Sequence, residues 1–96
     1  MQKLYRLYDS KSETWSPLHE FETDAAAIRS LSDAVNRDSQ DNVTLHPEDF
    51  TLFCVGGYDD HDPLPEVPAS PISITTALSL RKVSGQRGEA VAGGND

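Results

Sequence analysis

His46-Pro47-Glu48-Asp49-Phe50-Thr51-Leu52-Phe53-Cys54-Val55-Gly56-Gly57-Tyr58-Asp59-Asp60 sets a turn, an apolar strand and an acidic exit in fifteen consecutive residues. Pro47 is tolerated at a first helical position, so it opens a single helical turn through Glu48 and Asp49. Residues 50–58 are β-branched and aromatic and read as the core strand. Period-2 alternation turns Phe53 and Val55 one way and Leu52, Cys54 and Tyr58 the other. Gly56-Gly57 near the strand's end predicts a bulge or a close approach by another backbone.

Upstream, residues 2–9 read as a strand with Tyr5 and Leu7 on one side and Leu4, Arg6 and Tyr8 on the other, so both faces are partly covered. Asp9-Ser10-Lys11-Ser12-Glu13 is rich in turn formers and reverses the chain. Residues 15–22 form a second strand of a hairpin, with Leu18, Glu20 and Glu22 on one side and Trp15, Pro17, His19 and Phe21 on the other. Pro17 places this strand at a sheet edge or makes it start there. Thr23 then caps a helix over residues 24–37, with Asp24 in its first turn, where the dipole favours negative charge. Ala27, Ile28, Leu31, Ala34 and Val35 make its buried stripe, Arg29 and Asp33 pair on the outer side, and Arg37 falls in the last turn.

Residues 38–42 are loop by composition. Residues 59–70 carry Pro63, Pro65 and Pro68 with four acids and no base, and form an extended connector. Residues 72–80 satisfy two patterns. Alternating Ile72, Ile74, Leu78 and Leu80 suits a strand, whereas Ser73 as a cap with Ile74, Ala77 and Leu78 suits a short helix over 73–80, the reading adopted. The fold expected is α+β: a small antiparallel sheet of about three strands with one main helix packed on it, in the order β-β-α-β-short α. Residues 1–83 make the single domain, and the glycine-rich residues 84–96 a flexible tail.

The chain has 96 residues and a formal net charge of −8. A domain this small buries only about 60–65 % of its unfolded surface, so dimerisation is an economical way to enlarge its core. Residues 1–80 hold 14 acids and 5 bases, and residues 81–96 hold 2 acids and 3 bases. The body therefore repels phosphate backbones and anionic membranes on average, and anion binding depends on local placement. A single cysteine, Cys54, excludes an internal disulfide and a cysteine-rich zinc site. No apolar run matches a secretion signal or the roughly 18 residues of a membrane span.

Four stretches resemble the small nonstructural protein, labelled DNA-binding, of gokushoviruses, the single-stranded-DNA phages of the microvirus group. They are Tyr5-Arg6-Leu7-Tyr8-Asp9-Ser10-Lys11; Ala27-Ile28-Arg29 with Asn36; His46-Pro47-Glu48-Asp49-Phe50-Thr51-Leu52-Phe53 with Gly56 and Asp59-Asp60; and Pro71-Ile72-Ser73 followed by Ala77. Cys54 and Gly57 depart from the pattern, which has more polar residues there. The resemblance implies a nonstructural phage protein in the cytoplasm of the infected bacterium, binding DNA and helping to switch from genome replication to packaging.

Single-strand binding combines cations along the backbone path with aromatic platforms for bases. Lys3, Tyr5, Arg6, Tyr8 and Lys11 interleave the two on and beside the first strand, and Arg81 and Lys82, with Arg87, add cations near the C-terminus. Asp59-Asp60-His61-Asp62 suggests a hard-metal site, but Pro63 interrupts the frame such a loop needs, and an acidic solvated turn is the reading. His46 reads as a turn residue and Cys54 as an inert buried thiol. No catalytic constellation, cofactor motif or metal motif emerges, so the expectation is a non-enzyme without cofactor. Two functions compete. One is a homodimeric accessory protein that binds single-stranded DNA weakly. The other is an acidic interaction module that contacts a basic phage partner, the replication initiator or an internal capsid protein.

Overall fold

In the computed structural model, which describes residues 1–82, the central strand β4 (Phe50–Tyr58) lies antiparallel between β1 (Gln2–Asp9) and β5 (Ile72–Thr76). The outer side of β1 carries two short pieces in succession, β2 (Thr14–Trp15) and β3 (His19–Phe21). The antiparallel sheet and the one main helix match the expected α+β class, but the sheet has five strands where about three were expected. The expected tail over residues 84–96 lies outside the described residues.

Helix α1 (Asp24–Asn36) covers one face of the sheet. Its start is set by Thr23, whose Oγ1 accepts a hydrogen bond from the Ala26 amide at 3.1 Å, relieving an orphan donor of the first turn. Ala27, Leu31 and Val35 are buried against Tyr5, Phe50, Leu52 and Ala77, with Ile28, Phe21 and Ile74 packed around them. Arg37 is already extended, so the helix stops one residue short of the expected end and has no base in its last turn. A one-turn helix, α2 (Asn42–Leu45), starts inside the expected loop, where the Thr44 hydroxyl donates to the Ala34 carbonyl at 2.8 Å. Pro47 opens the expected short turn (Pro47–Asp49) and is fully buried.

Three one-residue irregularities decide which side chains share a face. Trp15 pairs with Tyr8, yet His19 pairs with Tyr5, so an extra residue enters between β2 and β3. Pro17 lies in that gap, and the Ser16 backbone and hydroxyl stay hydrogen-bonded to Leu7 at 2.8 Å. Trp15 therefore turns to the face opposite Phe21, which corrects the reading that set them together. In β4 the register shifts between Leu4 and Tyr5, leaving Val55 unpaired, and this bulge moves Tyr58 to the side opposite Leu52 and Cys54. The backbone does come close there: a Cβ on Gly56 would lie 2.6 Å from the Glu66 carbonyl oxygen, and Gly57 and Glu66 exchange backbone hydrogen bonds of 3.0 and 2.7 Å.

The third irregularity accompanies the main correction. Residues 73–80 are not a helix: Ile72–Thr76 is a strand, and only Leu78–Leu80 forms a 3-10 turn. The β-branched run Ile72, Ile74, Thr75 and Thr76 fits a pleated surface, and β4 would otherwise leave a long edge unpaired. Ile74 is the extra residue of a bulge against Leu52 and Phe53, which lets it pack against the core. Ala77, fully buried, donates its amide to the Phe50 carbonyl at 3.0 Å and ends the ladder.

Candidate functional site

The helix covers only one face of the sheet. On the opposite face, the registers bring Arg6 beside Phe53 and Tyr8 beside Trp15. The rings form a continuous row: Tyr8 to Trp15 at 4.9 Å, tilted, and Trp15 to Phe53 at 5.1 Å, edge-on. Trp15 remains 38 % exposed and the neighbouring Leu18 56 % exposed, while Tyr8 and Phe53 are half-buried. A groove of about 370 Å³ runs alongside, lined by Arg6, Trp15, Leu18, Val55 and Pro71.

Arg6 is held by a backbone carbonyl. Its Nε donates to the Ser16 carbonyl at 2.6 Å, and among the described residues no carboxylate lies within ion-pair distance of it. Glu20, whose register partner is Leu4, accepts from the Tyr58 hydroxyl at 2.6 Å instead. That bond, with the Glu20 charge behind it, raises the Tyr58 pKa above its ordinary value. A fixed guanidinium beside partly exposed rings can meet a phosphate and a planar base together.

The seven residues singled out in the sequence fall in four places. Arg6 and Tyr8 share the uncovered face. Tyr5 does not: it is fully buried beneath α1, stacked edge-on to Phe21 at 5.8 Å, with its hydroxyl donating to Asp24. It is a core residue and offers no surface to a base. Burial, reinforced by the Asp24 bond and charge, raises its pKa far above the ordinary tyrosine value. Lys3 also lies on the helix side, 3.4 Å from the same Asp24 oxygen. Asp24 is lowered in turn, first by the Tyr5 hydrogen bond and then by Lys3.

Lys11 stands in the turn after β1, where Asp9 Oδ1 accepts the amides of Lys11 and Ser12 at 2.9 and 3.4 Å. Desolvation is the largest single influence on the Asp9 carboxyl and pushes it up, but the hydrogen bonds from Lys11 and Ser12 together outweigh it and hold the carboxyl below its ordinary pKa. Arg81 and Lys82 lie at the far end of α1, where Asn36 accepts from the Lys82 amide at 2.8 Å and donates to the Leu80 carbonyl at 2.9 Å. They do not join Arg6.

Trp15 and Phe53 complete the row and were not among the seven. The alternation had already turned Phe53 to one side of β4, but its meeting with Arg6 depends on a pairing across 47 positions. Elsewhere, Asp59 and Asp62 bind the amides of His61 and Leu64 at 3.0 Å, the solvated turn expected. His46 Nδ1 lies 3.7 Å from Glu48 at the surface, and Cys54 is half-buried, its Sγ donating to the Gly56 carbonyl at 3.5 Å.

A family model described as phage ORF5 protein matches residues 2–80. The chain belongs to the phage ORF5 protein family. No curated protein and no solved structure matches it. The phage ORF5 match runs from β1 to the Leu78–Leu80 turn and thus includes Arg6, Tyr8, Trp15 and Phe53, while Arg81 and Lys82 fall beyond it. Among the described residues, this ORF5 protein has no helix long and apolar enough to cross a membrane.

Proposed function

We propose that this phage ORF5 protein is a non-enzymatic accessory factor of a small single-stranded-DNA phage of gokushovirus type. It holds single-stranded DNA weakly on the uncovered sheet face, in the cytoplasm of the infected bacterium, and assists the switch from genome replication to packaging. The observation that supports the reading best is the row of the exposed Trp15 and the half-buried Tyr8 and Phe53 beside an Arg6 that has no carboxylate partner among the described residues. Each stacked base contributes about 1–3 kcal/mol by alanine substitution and needs no particular sequence. One fixed cation gives a shallow salt dependence, on the order of −0.7 in log–log slope per phosphate met.

The test uses the protein's single tryptophan. An oligothymidylate should quench Trp15 emission at low salt. Phe53→Ala should weaken binding by roughly tenfold, and so should Arg6→Gln, which keeps a donor for the Ser16 carbonyl but removes the charge. Absence of quenching and of any mobility shift at low salt would refute the reading. Binding that ignores both substitutions would move the site elsewhere.

A second reading rests on the exposed carboxylates of Glu13, Glu20, Glu22, Asp38, Asp41, Glu48, Asp59, Asp60 and Asp62 and the net charge of −8. In it the protein is an acidic adaptor for a basic phage protein, the replication initiator or an internal capsid protein. Pull-downs from infected cells with and without nuclease discriminate the two, because only the adaptor keeps its partner after the DNA is destroyed.

A further inference from the structure

We infer that β5 is the docking edge for a second copy of this chain, joining two sheets into one. Among the described residues no strand pairs with the outer side of β5, so its outward amides and carbonyls have no ladder partner. The opposite edge is blunted: β2 and β3 are two and three residues long, and Pro17 interrupts them. At β5 the pairing has a defined extent, because the Ser79 hydroxyl donates to the Thr76 carbonyl at 2.8 Å and closes that end, leaving residues 72–75.

Charge selects the occupant. Two copies that each carry −8 repel each other wherever their carboxylates meet. Residues 67–80 form a run of fourteen without a single charged side chain, between Glu66 and Arg81. They include all of β5 and present Val67 and Ile72 at 74 and 52 % exposure. This is the stretch along which like-charged copies can approach most closely, and it supplies backbone groups and apolar side chains together.

Antiparallel pairing of β5 with its copy has a two-fold axis perpendicular to the sheet. Such an axis reverses strand direction but keeps each face on its own side. Both helices therefore lie on one side of the joined sheet, and both Arg6–Trp15–Phe53 rows lie on the other. The dimer itself does not rest on the DNA reading, since its mass is measured without nucleic acid.

An interface of one short strand pair and a few apolar side chains is at the small end of specific contacts, so association should be concentration-dependent, with a dissociation constant in roughly the micromolar range. Light scattering over a concentration series should show mass rising from one 10.5 kDa chain to twice that. Ile72→Asp sets two like charges across the axis and should raise the dissociation constant by roughly tenfold or more. Val67→Asp should act in the same direction, and Leu18→Asp on the opposite edge should leave the mass unchanged. Added salt should tighten the dimer, because it screens repulsion. A chain that stays single at millimolar concentration overturns the inference. So does a dimer that survives Ile72→Asp, that Leu18→Asp dissolves, or that salt weakens.

Discussion

Tyr5 shows how one residue can pass from a candidate ligand contact to a structural keystone. Its ring is buried between β4 and α1, and its hydroxyl reaches Asp24 in the first turn of α1, where Lys3 also points. The sequence shows an aromatic interleaved with bases and not that a carboxylate nineteen residues later would claim the hydroxyl. Tyr5→Phe should cost about 1–2 kcal/mol, the low end for a hydrogen bond to a charged group because Asp24 is nearly half exposed. Asp24→Ala should cost at least as much, since it leaves a buried donor without its acceptor.

The same pair fixes two pH limits. Asp24 is lowered in the folded state, so its contribution is present above the ordinary carboxyl pKa of about 3.9 and fades as pH falls through the lower folded value. Tyr5 is raised, so its contribution holds below the ordinary tyrosine pKa of about 10 and is lost as pH climbs toward the folded value. Urea midpoints across pH should therefore show an alkaline decline that Tyr5→Phe flattens, and an acid decline that Asp24→Asn flattens.

At the scale of elements, the legible parts were those with a local physical cause. Thr23, the alanines and the Leu31–Val35 stripe specify α1 within one segment, and Pro47 with the apolar run after it specifies the turn and β4. Residues 73–80 were misread because helix and strand patterns coincide there, and the deciding fact is a free edge on β4 twenty residues earlier. The uncovered face was only half legible. Alternation gives parity within a strand, but Pro17, Val55 and Ile74 each sit at a one-residue irregularity that resets it, and such shifts follow from pairing. Gly56 gave a correct local warning. Because an added Cβ would meet the backbone oxygen of Glu66 at 2.6 Å, Gly56→Ala must push the connector away or distort the bulge. A loss of about 1–3 kcal/mol is expected by thermal or urea unfolding. Gly57→Ala should cost less, as its nearest atom, the Gln2 carbonyl oxygen, lies at 3.0 Å. Equal losses at both sites would mean that the Glu66 contact does not hold the connector.

For the whole molecule, a positively charged spot must work inside a negative field. Asp59, Asp60 and Asp62 follow β4 at the end away from Phe53, about 20 Å from it at roughly 3.3 Å per strand residue. That distance is shorter than the Debye length of about 30 Å at 10 mM salt and longer than the roughly 8 Å at 150 mM. On the DNA-binding reading, these carboxylates therefore repel DNA approaching Arg6 only when salt is low, while stacking on the aromatic row is indifferent to salt. Changing all three to Asn leaves Arg6, Tyr8, Trp15 and Phe53 in place. On the DNA-binding reading it should tighten oligothymidylate binding several-fold near 10 mM salt, mainly through faster association, and change it little at 150 mM. On the adaptor reading the same triple change should instead weaken capture of a basic protein and leave oligonucleotides unaffected. A fluorescence titration of Trp15 at the two salt concentrations reads the first effect, and if the triple variant gains no affinity at low salt, the acidic body does not oppose binding at this face.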